Sequence, residues 1–266
     1  MKRIRWVLVL TPAAVVAAGM TAAPAKPPPG ASDCTLFPRD NHWNRRVDRL
    51  PVHPRSRKIV SSVGRQKTLH PDFGSGTWNG GPIGIPFTTV AGDQPRVPVA
   101  FGYEDESDPG PYPIPPNAPV EGGSDADGDR HVIVVDRDDC VLYELFDARP
   151  HDEGARWTAG SGARWDLDSN ALRPKGWTSA DAAGLPILPG LARFDEVVAG
   201  EMDHALRSRC PERAATTSIP RVTSPRLGRA GTCRPWGSAS GSRGASTSRG
   251  FLARRESSFG PSSDTE

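Results

Sequence analysis

The chain has 266 residues, with 33 Lys and Arg against 31 Asp and Glu, 36% hydrophobic residues and four Cys. That length suffices for a sizeable core, and so few Cys exclude a disulfide-packed miniprotein. Residues 26–207 alone hold 20 basic and 27 acidic residues, a net charge near −7; an acidic stretch with scattered positives excludes a dedicated nucleic-acid binder, since phosphate neutralisation needs clustered Lys and Arg.

In chain order, Lys2, Arg3 and Arg5 precede the apolar run 6–18, and Ala23-Pro24-Ala25 offers a small-residue cleavage site. This is the pattern of a secretory signal peptide over residues 1–25, followed by a Pro-rich linker over 26–33. The apolar run is shorter than the roughly 20 residues that cross a bilayer, and Thr11 and Pro12 interrupt it. The expectation is a secreted, extracellular protein with no retained membrane anchor.

Residues 34–207 read as a single β-rich α+β domain with short helices and long Gly/Pro loops. Over 54–63, Pro54 at the start, Ile59, Val60 and Val63 on one side and Gly64 at the end predict a short helix. Residues 83–90 and 97–103 read as strands, and 109–119 as an ordered Pro-rich loop. The clearest element is a central β-hairpin, with arms 131–136 and 140–146 around Arg137-Asp138-Asp139. The apolar run in its first arm predicts a strand covered on both faces. Residues 178–184 read as a capped helical turn, and 195–206 as a helix with Val198, Met202 and Leu206 on one side. Cys34 and Cys140, far apart in an exported chain, read as a disulfide.

At Ser208 the character changes. Residues 208–266 contain 10 Arg and 12 Ser but no Lys, Asn, Gln, Tyr or His, and no hydrophobic period. Back-translated with GC-rich codons and read two bases later, they can spell a Tyr-rich segment ending Pro-Ala-Arg-His, then Pro-Pro-Met-Gly, then an apolar and basic pattern ending Lys-Arg-Tyr-Gly. One deleted base near codon 208 accounts for all three. On that reading 34–207 is a truncated domain, 208–266 an out-of-frame disordered tail, and Cys210 and Cys233 are accidental. The other reading is an in-frame disordered Ser/Arg/Gly tail.

The densest chemical constellation is the Gly-rich acidic loop over 121–131. Asp125, Asp127 and Asp129 alternate and offer oxygen ligands to a hard cation such as calcium. The spacing departs from an EF-hand loop, with Gly128 two places early and Asp136 where a bidentate Glu is wanted. A solvated acidic turn before a strand is the competing reading. Asp129 and His131 lie two apart, so a strand would place them on one face, where with Glu121 they fit acid–base work on a glycan. Against that stands Asp129 as a loop cap and His131 as a structural histidine. Trp78 and Trp177 are candidates for a sugar platform, although Trp in a β-rich domain also fills cores. Asp181 reads as a first-turn helix acid. Glu201 and His204 are three apart, but no His-Glu-x-x-His zinc pair accompanies them, and neither Gly-x-Ser-x-Gly nor a Gly-Lys phosphate loop occurs within 34–207.

Four motifs, at residues 36–44, 105–115, 128–131 and 176–186, resemble a family of uncharacterised secreted proteins of soil actinobacteria and acidobacteria. The resemblance covers roughly 34–207 and implies export. It also implies a longer domain whose next segments match those recovered by the shifted frame. In that family the middle acids of the loop vary while Gly128-Asp129-Arg130-His131 persists. The resemblance implies no mechanism. Two functions therefore stand as expectations: an extracellular glycan-directed hydrolase using Glu121, Asp129 and His131, and a non-catalytic domain binding carbohydrate or cell wall through Trp. A third outcome is a frame-disrupted product without function.

Overall fold

The computed structural model describes residues 26–207 except 67, 69–73, 75 and 79. Residues 1–25, expected to form a signal peptide, and residues 208–266, with Cys210 and Cys233, lie outside the described residues. In chain order the described elements are helix α1 (Ser56–Val63), strands β1 (Thr77–Trp78), β2 (Gly81–Pro82), β3 (Phe87–Val90), β4 (Val99–Phe101), β5 (Val132–Asp136), β6 (Val141–Phe146), β7 (Arg149–His151), β8 (Arg156–Ala159) and β9 (Ser161–Asp166), and helix α2 (Phe194–Ala199). Short 3-10 turns occupy Glu104–Glu106, Asp152–Gly154 and Leu188–Gly190. This is a β-rich α+β fold.

The hairpin forms as predicted. β5 and β6 pair antiparallel from Val132 opposite Leu145 to Asp136 opposite Val141. The turn is held by the Asp136 carboxylate, whose Oδ1 accepts from the Asp138 and Asp139 amides at 3.2 Å. β3 adds in parallel beside β5, from Phe87 opposite Ile133 to Val90 opposite Asp136, and β9 adds antiparallel beside β6, giving the order β3-β5-β6-β9. A second sheet has the order β4-β8-β7, with β4 and β8 parallel. Parallel neighbours need a crossover. The chain leaving β3 supplies one by visiting the second sheet and the Pro-rich loop before it returns as β5.

Side-chain alternation along β5 and β6 creates two cores. Val132, Val134, Tyr143 and Leu145 face the second sheet, where they pack with Tyr112, Ile114 and Trp157. Ile133, Val135 and Leu142 face the other way and are covered by segments without regular structure, through Cys34, Leu36, Phe37, Leu167, Ile187 and Leu188. Every residue of β5 is buried, so the strand is covered on both faces. The disulfide joins Cys34 to Cys140, with a Cα–Cα distance of 5.2 Å, and ties the first irregular segment to the start of β6.

The three predicted helical elements differ from expectation. α1 forms, but Val60 is 51% exposed and no α1 side chain among the described residues belongs to either core. Residues 178–184 form no helix. Ser179 Oγ lies 2.7 Å from the Asp181 and Leu185 carbonyls and accepts the Asp181 amide, while Asp181 Oδ1 accepts the Ala183 amide, so side chains take the backbone bonds a helix would use. The helix expected to reach residue 206 stops at Gly200, whose φ of 73° is the left-handed cap geometry. Beyond it the Ala205 amide donates to the Trp43 carbonyl and the Arg207 amide to the Gly190 carbonyl. Val198, Met202 and Leu206 remain exposed at 70%, 39% and 46%.

Candidate functional site

His131 immediately precedes β5 and shares a face with Ile133 and Val135. It is fully buried. Its Nδ1 lies 2.5 Å from Glu121 Oε2, and its Nε2 lies 3.2 Å from the Ala180 carbonyl oxygen. A carbonyl only accepts, so Nε2 carries the hydrogen and the ring is clamped at both nitrogens. Glu121 is held in return: its amide donates to the His131 carbonyl at 2.9 Å, and its carboxylate accepts the His131 amide at 3.3 Å. The Phe146 ring sits 6.0 Å from the imidazole. The pair welds the loop to the sheet and to the 178–191 segment.

The acidic loop is organised by a residue that sequence reasoning passed over. Arg130, 3% exposed, donates from Nη1 to the Ser124 and Ala126 carbonyls at 2.8 and 2.7 Å, and from Nε to the Ala148 carbonyl at 3.1 Å. The loop carbonyls thus surround a guanidinium that belongs to the chain. Asp125 and Asp127 are exposed and Asp129 is half-buried, and among the described residues no three His, Cys, Asp or Glu side chains converge as metal ligands. The loop also lies close to β2. A Cβ at Gly81 would stand 1.9 Å from the Gly122 carbonyl oxygen, so only glycine permits the approach.

The same face holds a second acid that sequence reasoning missed. Glu144 of β6 is fully buried and accepts hydrogen bonds from the Ile187 and Leu188 amides at 2.9 Å and from Trp165 Nε1 at 3.2 Å. Burial pushes its carboxyl up to about 7, against the pull of those amides and of Arg207 and His131. The signal was available: in Val141-Leu142-Tyr143-Glu144-Leu145-Phe146 the acid falls on the Leu142 and Phe146 face, which the apolar pattern marks as interior.

The aromatic candidates divide. Trp157 and Trp165 are core residues. Trp177 is half-buried, with the Arg173 guanidinium 5.4 Å from its ring and 5.5 Å from that of Trp165. Arg173 is held by Asp108 and by the Glu106 and Thr178 carbonyls, so Trp177 forms the outer end of a fixed indole–guanidinium–indole stack. Trp78 lies in β1, its backbone paired with Gly81, and its side chain is outside the described part.

Two titratable side chains, Asp181 and His204, have partners that their sequence positions did not indicate. Asp181 is in no helix and pairs with Arg207 at 2.8 Å. His204 engages Glu196, at 3.1 Å, in a buried group that includes Arg193, 2.7 Å from Glu196.

No protein-family model matches the chain, and no curated protein or solved structure is similar to it. The functional reading therefore rests on the chain's own residues.

Proposed function

We propose that residues 34–207 act as a non-catalytic extracellular domain that binds carbohydrate or cell-wall material, with Trp177 as a contact. The observation that supports this reading is His131: it is buried, both ring nitrogens are engaged, and one of them holds the Glu121 carboxylate that a hydrolase would need. The outer indole of the Arg173 stack, held rigid and partly exposed, is the side chain best suited to stack on a sugar ring. Trp78 is the second candidate contact.

The test is binding of the purified full chain to arrayed glycans and cell-wall fragments, followed by titration of the best ligand. Trp177→Ala should weaken that binding about tenfold or more, on the scale of a buried aromatic anchor. Release of reducing ends from a polysaccharide by the wild type, lost in Glu121→Gln, would establish the glycan hydrolase instead. Silence in both assays rejects both functions.

Export is part of the proposal, supported by the pattern in residues 1–25 and by the Cys34–Cys140 disulfide. No described helix is long and apolar enough to cross a membrane. We also propose that a lost base near codon 208 replaced the segment that covers α2. Phe194, Val197 and Val198, exposed at 79%, 54% and 70%, support it. Sequencing reads that show the frame intact across codon 208 reject it.

A further inference from the structure

The basic residues are not evenly spread. Between Arg45 and Arg65 the described chain carries seven, all exposed, and one acid, Asp48. The remainder of 26–207 holds 13 basic and 26 acidic residues. The region spanning residues 45–66 is thus a cationic lobe on an anionic body. Arg46 and Arg49 have Asp48 within ion-pair reach, at 2.9 and 3.9 Å.

Aliphatic side chains stand among these charges. Val47, Leu50, Val52 and Val60 are exposed at 68%, 42%, 81% and 51%. An open groove of about 760 Å³ is lined by Val52, His53, Pro54, Arg57, Val60 and Arg65. α1 forms part of this lobe, and neither Ile59 nor Val60 belongs to either core.

We propose that residues 45–66 are a docking surface for an anionic lipid bilayer. A soluble polyanion asks only for positive charge and leaves four exposed aliphatic residues without a role. An anionic bilayer uses both: Arg and Lys meet headgroup phosphates, and the aliphatic side chains enter the boundary between headgroups and acyl chains. Charge also fixes the pose. The acidic body is repelled by such a surface, so the lobe approaches first and the sheets stay in water. The inference is independent of carbohydrate binding.

The experiment is co-sedimentation of the full-length chain with vesicles of pure phosphatidylcholine and with vesicles one-third phosphatidylglycerol. Soluble polyphosphate serves as a second ligand. The wild type should bind the anionic vesicles, weaken with added salt, and leave neutral vesicles unbound. Arg57→Glu/Lys58→Glu/Arg65→Glu should weaken vesicle binding about a hundredfold, since each basic residue at an anionic surface contributes about a fivefold change in affinity. Val47→Ser/Val52→Ser/Val60→Ser should weaken vesicle binding about tenfold and leave polyphosphate binding unchanged. All six positions lie outside both cores, so circular dichroism should match the wild type. Absence of vesicle binding overturns the proposal. So does wild-type binding by both variants, which would place attachment in the Arg-rich residues 208–266. A charge variant that loses polyphosphate and vesicles alike, with an aliphatic variant that loses neither, would make the lobe a polyanion site instead.

Discussion

Replacing Cys34 and Cys140 together by Ala should remove up to about 4.7 kcal/mol of unfolding free energy, the chain-entropy value for a closed loop of about 100 residues. The bridge spans a sequence separation of 106. For a domain whose net stability is about 5–15 kcal/mol, that is a large share. Position enlarges the consequence. Cys34 is fully buried beside Leu36 and Phe37, in the irregular segment that covers one face of the central sheet. That segment has no strand pairing to hold it, so the disulfide and apolar contact hold it in place. In urea the midpoint should fall, and the slope should rise because an uncrosslinked unfolded chain exposes more surface. A midpoint equal to that of the wild type would show that the bridge adds nothing to stability.

How much was legible follows the range of each interaction. The hairpin was readable because β-branched runs and an Asp-rich turn act within fifteen residues, and the continuous apolar run correctly implied cover on both faces. The disulfide was readable because only two Cys lie in 34–207. The parallel partners of β5 and β8 were not: nothing in Phe87-Thr88-Thr89-Val90 states that it will lie beside a strand more than forty residues later. The 178–184 turn failed as a helix because Ser179 and Asp181, good capping types, spent their side chains on the turn itself. α2 was overextended because the apolar spacing of Val198, Met202 and Leu206 was weighed above Gly200, a strong stop signal.

At the candidate site, spacing singled out Glu121, Asp129 and His131. The burial of the His131 ring was not legible there, since the partner of its Nε2 is the Ala180 carbonyl, 49 residues away. Arg130 was read as part of a motif and not as the cation that organises the loop. Its three carbonyl partners come from Ser124, Ala126 and Ala148, and no local pattern announces them.

Glu144 provides the sharpest test of the buried acid. Its carboxyl titrates near 7 when folded and near 4.5 when unfolded. Between those values the folded chain keeps a proton that the unfolded chain has released, so unfolding becomes easier as pH rises. The contribution is fully present below about pH 4.5 and is lost as pH passes through about 7, a fall of about 3 kcal/mol. Paired surface carboxylates act in the opposite sense, at pH values below this window. In Glu144→Gln an oxygen remains for the Ile187 and Leu188 amides, but no proton can leave. Its urea midpoint should therefore vary less between pH 5 and 7 than that of the wild type, and the two curves should diverge toward acid with the wild type gaining. Parallel curves would mean that Glu144 stays charged throughout, its three N–H donors outweighing the loss of water. In that case the acid is a fixed anionic pin for residues 187–188, and the Gln variant should be less stable by a constant amount at every pH.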